Sequence, residues 1–362
     1  MMNLPKLDDL IDEQMTAFEQ PFDQHMFVVG PPGSGKTALA VLRARQASNE
    51  GKRVVLVTKN RMLAALAKQQ LEGIRCVTMN AYVSTEYMRL DRGYIPELRR
   101  YVYDWDRVCA DFAEDGAKAP CDHLIVDEGQ NLPAGFFRWA IAFGGGFLTV
   151  FADENQTTND EHASLSDIRA AGLPAPIRLT RNHRNTPEIA RVAEHFHRAE
   201  HAIPAIAVRP RSGDIPELIA VADWDALATR IAYRFQNQAG SIGVIVGRKD
   251  DTDVLRANLL ALLPGGRVDA YTSNSEPGQE DAILTYEPGI TVLTDKAVIG
   301  LEFDAVFLQG VQDALPCRTL AQFRQMYMLC ARAKHMLTVV NGVTPLSKAQ
   351  IDALPPPNLL TR

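Results

Sequence analysis

Short apolar runs alternate along this chain with longer stretches whose apolar residues recur every three or four positions. The runs predict strands at 26–30, 53–58, 75–79, 123–127, 147–151 and 177–180. After a break the habit resumes at 215–221, 242–247, 267–271, 290–294, 305–309 and 337–341. Their Val/Ile/Leu-rich character is that of strands covered on both faces, as in a parallel sheet. Strands that alternate with helices argue an α/β fold built of crossover units. Ala171-Gly-Leu-Pro-Ala-Pro176 is the best joint, so the expected domains are 1–175 and 176–362. Residues 84–120 are charged and aromatic and read as a small helical insertion in the first domain. No short internal repeat is visible.

Length agrees with two domains. The chain has 362 residues, 46% of them hydrophobic, enough for two substantial cores. No segment approaches the roughly 18 uninterrupted apolar residues that cross a bilayer. The start, MMNLPKLDDLIDEQ, is acidic and lacks the basic-then-apolar order of a secretory signal. Cys76, Cys109, Cys121, Cys317 and Cys330 are scattered without a CxxC pair, which suits a reducing cytoplasm. Net charge is −6, and the acidic excess lies in residues 1–175. A nucleic-acid partner must therefore meet a local basic track, since there is no global positive field.

The first chemical signal is Gly30-Pro-Pro-Gly33-Ser34-Gly35-Lys36-Thr37, which follows one predicted strand and opens a helix. This is the phosphate-binding pattern G-x-x-x-x-G-K-[ST] in its required context. Glycines let backbone N–H groups curl around phosphates, and the helix N-terminus adds partial positive charge. Lys36 is expected on the β/γ-phosphates of ATP and the Thr37 hydroxyl on Mg²⁺. The second signal is His123-Leu-Ile-Val-Asp127-Glu128-Gly-Gln130, an apolar strand ending in two carboxylates. Asp127 is placed to hold Mg²⁺, and Glu128 to polarise the attacking water as general base. A plain glycine turn and a solvated strand end would explain each alone, but not both together.

With DEGQ the chain begins to resemble superfamily 1 helicases of the UvrD/Rep type. The other blocks follow in that family's order over about residues 12–335. Asp12-Glu-Gln14 resembles its adenine-reading element. Val55–Thr58 and Val77-Thr78-Met-Asn80-Ala-Tyr82 resemble its first two strand-contacting blocks. Leu148–Gln156 resembles the block whose glutamine, here Gln156, senses the γ-phosphate. Leu179–Thr186 holds Arg184, and Tyr327–Lys334 holds Arg332, at the positions of the family's arginine fingers. Residues 290–306, with Thr294, Lys296 and Gly300-Leu-Glu302-Phe-Asp304, resemble its motif V, whose glutamate contacts the nucleotide sugar. The resemblance implies two RecA-like domains with the ATP site in the cleft between them. It implies ATP, Mg²⁺ and single-stranded nucleic acid, DNA in preference to RNA, as ligands. Thr58, Thr78, Asn80, Thr294 and Lys296 would form the strand track, although Thr58 and Thr78 could equally cap helices.

Four departures from the family pattern narrow that reading. Ile299 stands where motif V has a lysine, and Lys296 where it has a histidine. Thr157-Thr-Asn159 replaces the aromatic that stacks a base after the glutamine, a contact worth about 1–3 kcal/mol per base. Asn131 replaces a frequent aspartate, and the large accessory insertions are absent. The phosphate-handling residues are all present. The expected activity is thus ATP hydrolysis coupled to a single strand. Two mechanisms remain open: a translocase, or a nucleic-acid- or partner-gated switch acting on an effector such as a nuclease. An unrelated P-loop kinase would leave Gln156, Arg184 and Arg332 unexplained.

Overall fold

The fold was analysed in a computed structural model that describes residues 5–153, 162–198, 206–211 and 214–362. Apart from the short loop Pro32–Ser34, one compact unit ends at Leu179 and a second begins at Thr180.

The first unit runs α1 (Asp12–Phe18), β1 (Met26–Val29), α2 (Lys36–Asn49), β2 (Val54–Thr58), α3 (Arg61–Gln70), β3 (Arg75–Thr78) and α4 (Met79–Met88). It continues through β4 (Glu97–Arg99), β5 (Val102–Tyr103), α5 (Trp105–Glu114), β6 (His123–Val126), α6 (Ala134–Trp139), β7 (Phe147–Ala152), α7 (Leu165–Ala170) and β8 (Ile177–Arg178). Six strands pair in parallel in the order β3-β2-β6-β7-β1-β8. Alternate residues point to opposite faces, and both faces are dry. Phe27, Val29, Val57 and Val126 join a core with Tyr82, Phe136 and Trp139. Met26, Val28, Leu56 and Ile125 join Leu39, Ala40 and Ala44 of α2 on the other side. Each fully buried large side chain contributes roughly 1.5–3 kcal/mol, which is why unbroken apolar runs specify such a sheet. The insertion expected as helical also contains the antiparallel hairpin β4–β5. Gly93 (φ 84) and Pro96 interrupt the helix, and Leu98, Val102 and Tyr103 favour extended backbone.

The second unit runs β9 (Arg181–Asn182), α8 (Pro187–Glu194), β10 (Ile206–Ala207), β11 (Glu217–Val221), α9 (Trp224–Asn237), β12 (Ser241–Val246), α10 (Lys249–Leu262) and β13 (Val268–Tyr271). It closes with β14 (Gly289–Thr294), β15 (Phe303–Leu308), α11 (Leu320–Cys330), β16 (Ala333–Gly342) and α12 (Lys348–Asp352). Its sheet has six parallel strands in the order β11-β16-β15-β12-β14-β13, and β9 pairs with β10 apart from it. Val244, Val292, Phe307 and Val340 pack against Leu227, Ile231, Leu255 and Leu259 of the covering helices. The chain is therefore a mixed α/β protein with two parallel sheets, consistent with two RecA-like domains. No helix among the described residues is long and apolar enough to cross a membrane.

Candidate functional site

In the first sheet β7 lies between β1 and β6; the register Val29↔Ala152 brings the ends of β1 and β7 level, and Val126↔Val150 places the end of β6 two residues short of them. Gly30, Asp127 and Asp153 each follow one of these ends, side by side at the carboxyl edge. That edge is where open α/β sheets bind ligands.

The glycine loop leaves β1 and enters α2 at Lys36, with Gly35 as its N-cap in the left-handed region (φ 89). A Cβ on Gly35 would sit 2.6 Å from Nε2 of Gln14, so the Gln14 amide and the loop are in contact because this position has no side chain. Arg43 of α2 holds the helix that carries Gln14. Its buried guanidinium donates to the carbonyls of Ala17, Phe18 and Gln20 (3.2, 2.8 and 2.8 Å) and lies 4.2 Å from the centroid of Phe22. These bonds close the C-terminal end of α1, and burial lowers the Arg43 pKa to about 10.

Lys36 is buried. Its Nζ donates to the carbonyls of Gly30 (2.6 Å) and Pro31 (2.8 Å) and lies 3.5 Å from Asp153 Oδ2. The ammonium thus sits in the loop that would surround a phosphate. The Thr37 hydroxyl donates to Asp127. Burial raises the Asp127 pKa above the usual carboxylate range, with the neighbouring Glu128 adding to the shift and Thr37 and Lys36 opposing it. Asp127 Oδ1 is buried without a hydrogen-bond partner among the described residues. An acidic oxygen with no donor, beside a threonine hydroxyl, is the donor set that Mg²⁺ takes from a protein when water and phosphate supply the rest. No larger cluster of metal-ligating side chains occurs among the described residues, and Mg²⁺ needs none.

Glu128 follows in a left-handed conformation (φ 56), unusual for a side chain this long. Its Oε2 accepts from Gln130 Nε2 at 2.6 Å and from Asn131 Nδ2 at 3.3 Å. Gln130 Oε1 in turn accepts from the Asp153 backbone N–H at 3.0 Å. Two amides therefore aim the carboxylate, and one of them ties it to the end of β7. Gln130, Asn131 and Asp153 stood within the quoted motifs but carried no expected role. Only their hydrogen bonds reveal the positioning. Gln156 lies outside the described residues.

In the second unit the expected residues divide between the two ends of the sheet. Glu302 precedes β15 and Arg332 precedes β16, where the Phe303 N–H bonds the Arg332 carbonyl at 3.0 Å. Asn185 Nδ2 donates to the carbonyls of Ala331 (3.1 Å) and Ala333, which brings Arg184 to the same amino edge. Arg184 Nε pairs with Glu302 Oε2 at 2.6 Å, and Lys334 Nζ with Glu302 Oε1 at 2.8 Å. Burial alone would raise the Glu302 carboxyl, but Arg184 and Lys334 outweigh it and hold the pKa at about 2. Arg332 is 1% exposed, and its Nε and Nη1 donate to the carbonyls of Met328 (3.1 Å) and Leu301 (3.2 Å).

The expected strand-contacting residues lie at carboxyl edges. Thr58 is 1% exposed and Thr294 is buried, and both hydroxyls lack a partner among the described residues. Neither is presented to solvent. Thr78 caps α4, its hydroxyl accepting from the Ala81 N–H at 3.3 Å, while α3 is capped by Asn60 and not by Thr58. Asn80 lies in the first turn of α4, with Oδ1 buried and unpartnered. Lys296 is exposed beyond β14.

A model of the family described as IstB-like ATP binding protein matches residues 16–112, well under half of the chain but including the whole glycine loop. No curated protein matches the chain. Among solved structures it resembles the C-terminal domain of a possible DNA helicase from Lactobacillus plantarum WCFS1, at 22% identity and a TM-score of 0.35, over 49% of this chain and 97% of that one. It also resembles the PRRSV helicase at 13% identity and a TM-score of 0.45, over 90% of this chain and 54% of that one. At those scores the likenesses add nothing to the argument from the site.

Proposed function

We propose that this protein is a superfamily 1-type ATPase that hydrolyses ATP when it engages single-stranded nucleic acid. The observation that carries the reading is the row Lys36, Thr37, Asp127, Glu128 and Asp153 at one sheet edge, with Asp127 Oδ1 unpartnered beside Thr37. Thr37 and Asp127 would hold Mg²⁺, which supplies charge neutralisation of the phosphates. Lys36 leaves the loop carbonyls for the phosphate oxygens, because a charge-assisted bond to phosphate is stronger than one to a neutral carbonyl. Glu128, aimed by Gln130 and Asn131, takes the proton of the attacking water. Gln14, beside the loop, reads the adenine, and Glu302 contacts the nucleotide sugar. Arg184 and Arg332 bring positive charge to the γ-phosphate in the transition state.

The strand would cross Thr58, Thr78, Asn80, Thr294 and Lys296. With Thr58 and Thr294 buried and a single exposed lysine among the five, binding should be weak, indifferent to sequence and shallow in salt dependence. That weakness keeps a second reading in play, an ATPase switch gated by nucleic acid or a partner and controlling an effector such as a nuclease. Steady-state hydrolysis with no nucleic acid, single-stranded DNA, duplex DNA and RNA tests the proposal. Stimulation by single strands supports it, and displacement of a labelled strand adds the motor. Turnover that no nucleic acid changes would favour the partner-gated switch, and no turnover under any condition would sink the ATPase.

A further inference from the structure

Lys334 has no role in the proposal above, yet it shares the Glu302 carboxylate with Arg184, one cation on each oxygen. The three side chains are 15% (Arg184), 26% (Glu302) and 28% (Lys334) exposed, so the group is largely withdrawn from water. The two pairs are not equally anchored. Glu302 and Lys334 flank the adjoining starts of β15 and β16, paired through Phe303↔Ala333. Arg184 sits on the irregular segment between β9 and α8, and beyond Glu302 its guanidinium makes a long bond from Nη1 to the Ala331 carbonyl at 3.5 Å.

An arginine that is to stabilise a γ-phosphate must first give up the carboxylate it holds. Leaving a partly buried carboxylate without a cation is costly. The charge that remains on Glu302 therefore sets how readily Arg184 departs. Lysine suits that task, being a compact charge that needs no planar fork, whereas the guanidinium fork suits the phosphate. We propose that Lys334 is a positioning residue for ATP hydrolysis, neutralising Glu302 so that Arg184 can exchange the carboxylate for phosphate oxygens. This rests on the reading of Arg184 as a phosphate donor. Lys334 itself touches neither nucleotide nor metal.

The test is the KM and kcat for ATP of the full chain and five variants. Lys334→Met should lower kcat about tenfold, a moderate factor because the pair is a quarter exposed. Its KM should stay within about twofold, since the loss falls on the transition state. Lys334→Arg keeps the charge and should retain most of the turnover, which separates lost charge from lost folding. The decisive comparison is Glu302→Gln with and without Lys334→Met. With no carboxylate to neutralise, removing Lys334 should cost less than about twofold. An equal loss in both backgrounds, or no loss in either, would overturn the proposal. Arg184→Ala separates the two levels: normal turnover there defeats the underlying reading, while slow turnover with an inert Lys334 defeats this inference alone.

Discussion

The two sheets of this protein are built alike but gather their candidate residues at opposite ends. Each has six parallel strands, with the inner ones buried on both faces. The first gathers its candidate chemistry at the carboxyl edge, where Gly30, Asp127 and Asp153 follow the ends of three adjacent strands. The second gathers Arg184, Glu302, Arg332 and Lys334 at the amino edge, where β15 and β16 begin. Local electrostatics explain the division. At a carboxyl edge the chain turns into helix N-termini, which favour anions, and α2 starts there at Lys36. At an amino edge the chain arrives from helix C-termini, which favour cations. Arg332 follows α11, and its Nε takes the carbonyl of Met328 in that helix's last turn. One edge thus has the electrostatics that the proposed phosphate site needs, and the other holds its cations on carbonyls and a carboxylate.

The sharpest way to break this contrast is to remove the cation from the receiving edge. Lys36→Ala should reduce ATP hydrolysis to background and weaken nucleotide binding, read by equilibrium titration with a fluorescent ATP analogue. Normal affinity would show that the loop holds no phosphate. At the storing edge, Arg184→Ala should slow turnover by at least about 10²-fold with a smaller change in ATP affinity. Arg332→Ala should slow turnover as much, but with an added loss of about 1–3 kcal/mol in stability, because it leaves the Met328 and Leu301 carbonyls unpaired. Thermal melting distinguishes the two arginines, and equal melting temperatures would mean that the Arg332 bonds are dispensable. The smallest effect belongs to the carboxyl edge of the second sheet. Lys296→Ala should weaken single-strand binding uniformly across sequences and reduce its salt slope by about one unit, measured by anisotropy at several salt concentrations.

Much of this architecture was legible in the sequence, for a reason particular to parallel sheets. Strands buried on both faces need continuous apolar runs, and each of the twelve predicted runs has a strand at its position, from β1 to β16. The elements that escaped notice carry little burial. The hairpin β4–β5 is mostly exposed, and β9 and β10 are two residues each. At the candidate phosphate site the motif singled out Lys36, Thr37, Asp127 and Glu128, because that chemistry tolerates few substitutes. It could not show Gln130 aiming Glu128, which depends on the left-handed turn at Glu128, or Lys334 sharing Glu302, which depends on the pairing of β15 with β16. Burial was equally hidden. Thr58 and Thr294 end strands where a hydroxyl could meet a phosphate, but the packing around both strand ends encloses them.

The proposal stands or falls on the first unit supplying the phosphate loop, the Mg²⁺ ligands and the base Glu128, and the Glu128→Gln variant tests it most directly. ATP binding and steady-state hydrolysis should be measured on the same sample with Mg²⁺ present. The substitution keeps Lys36, Thr37 and Asp127, so affinity should remain within about threefold of wild type while hydrolysis falls at least about 10²-fold. Turnover at the wild-type rate would contradict the account.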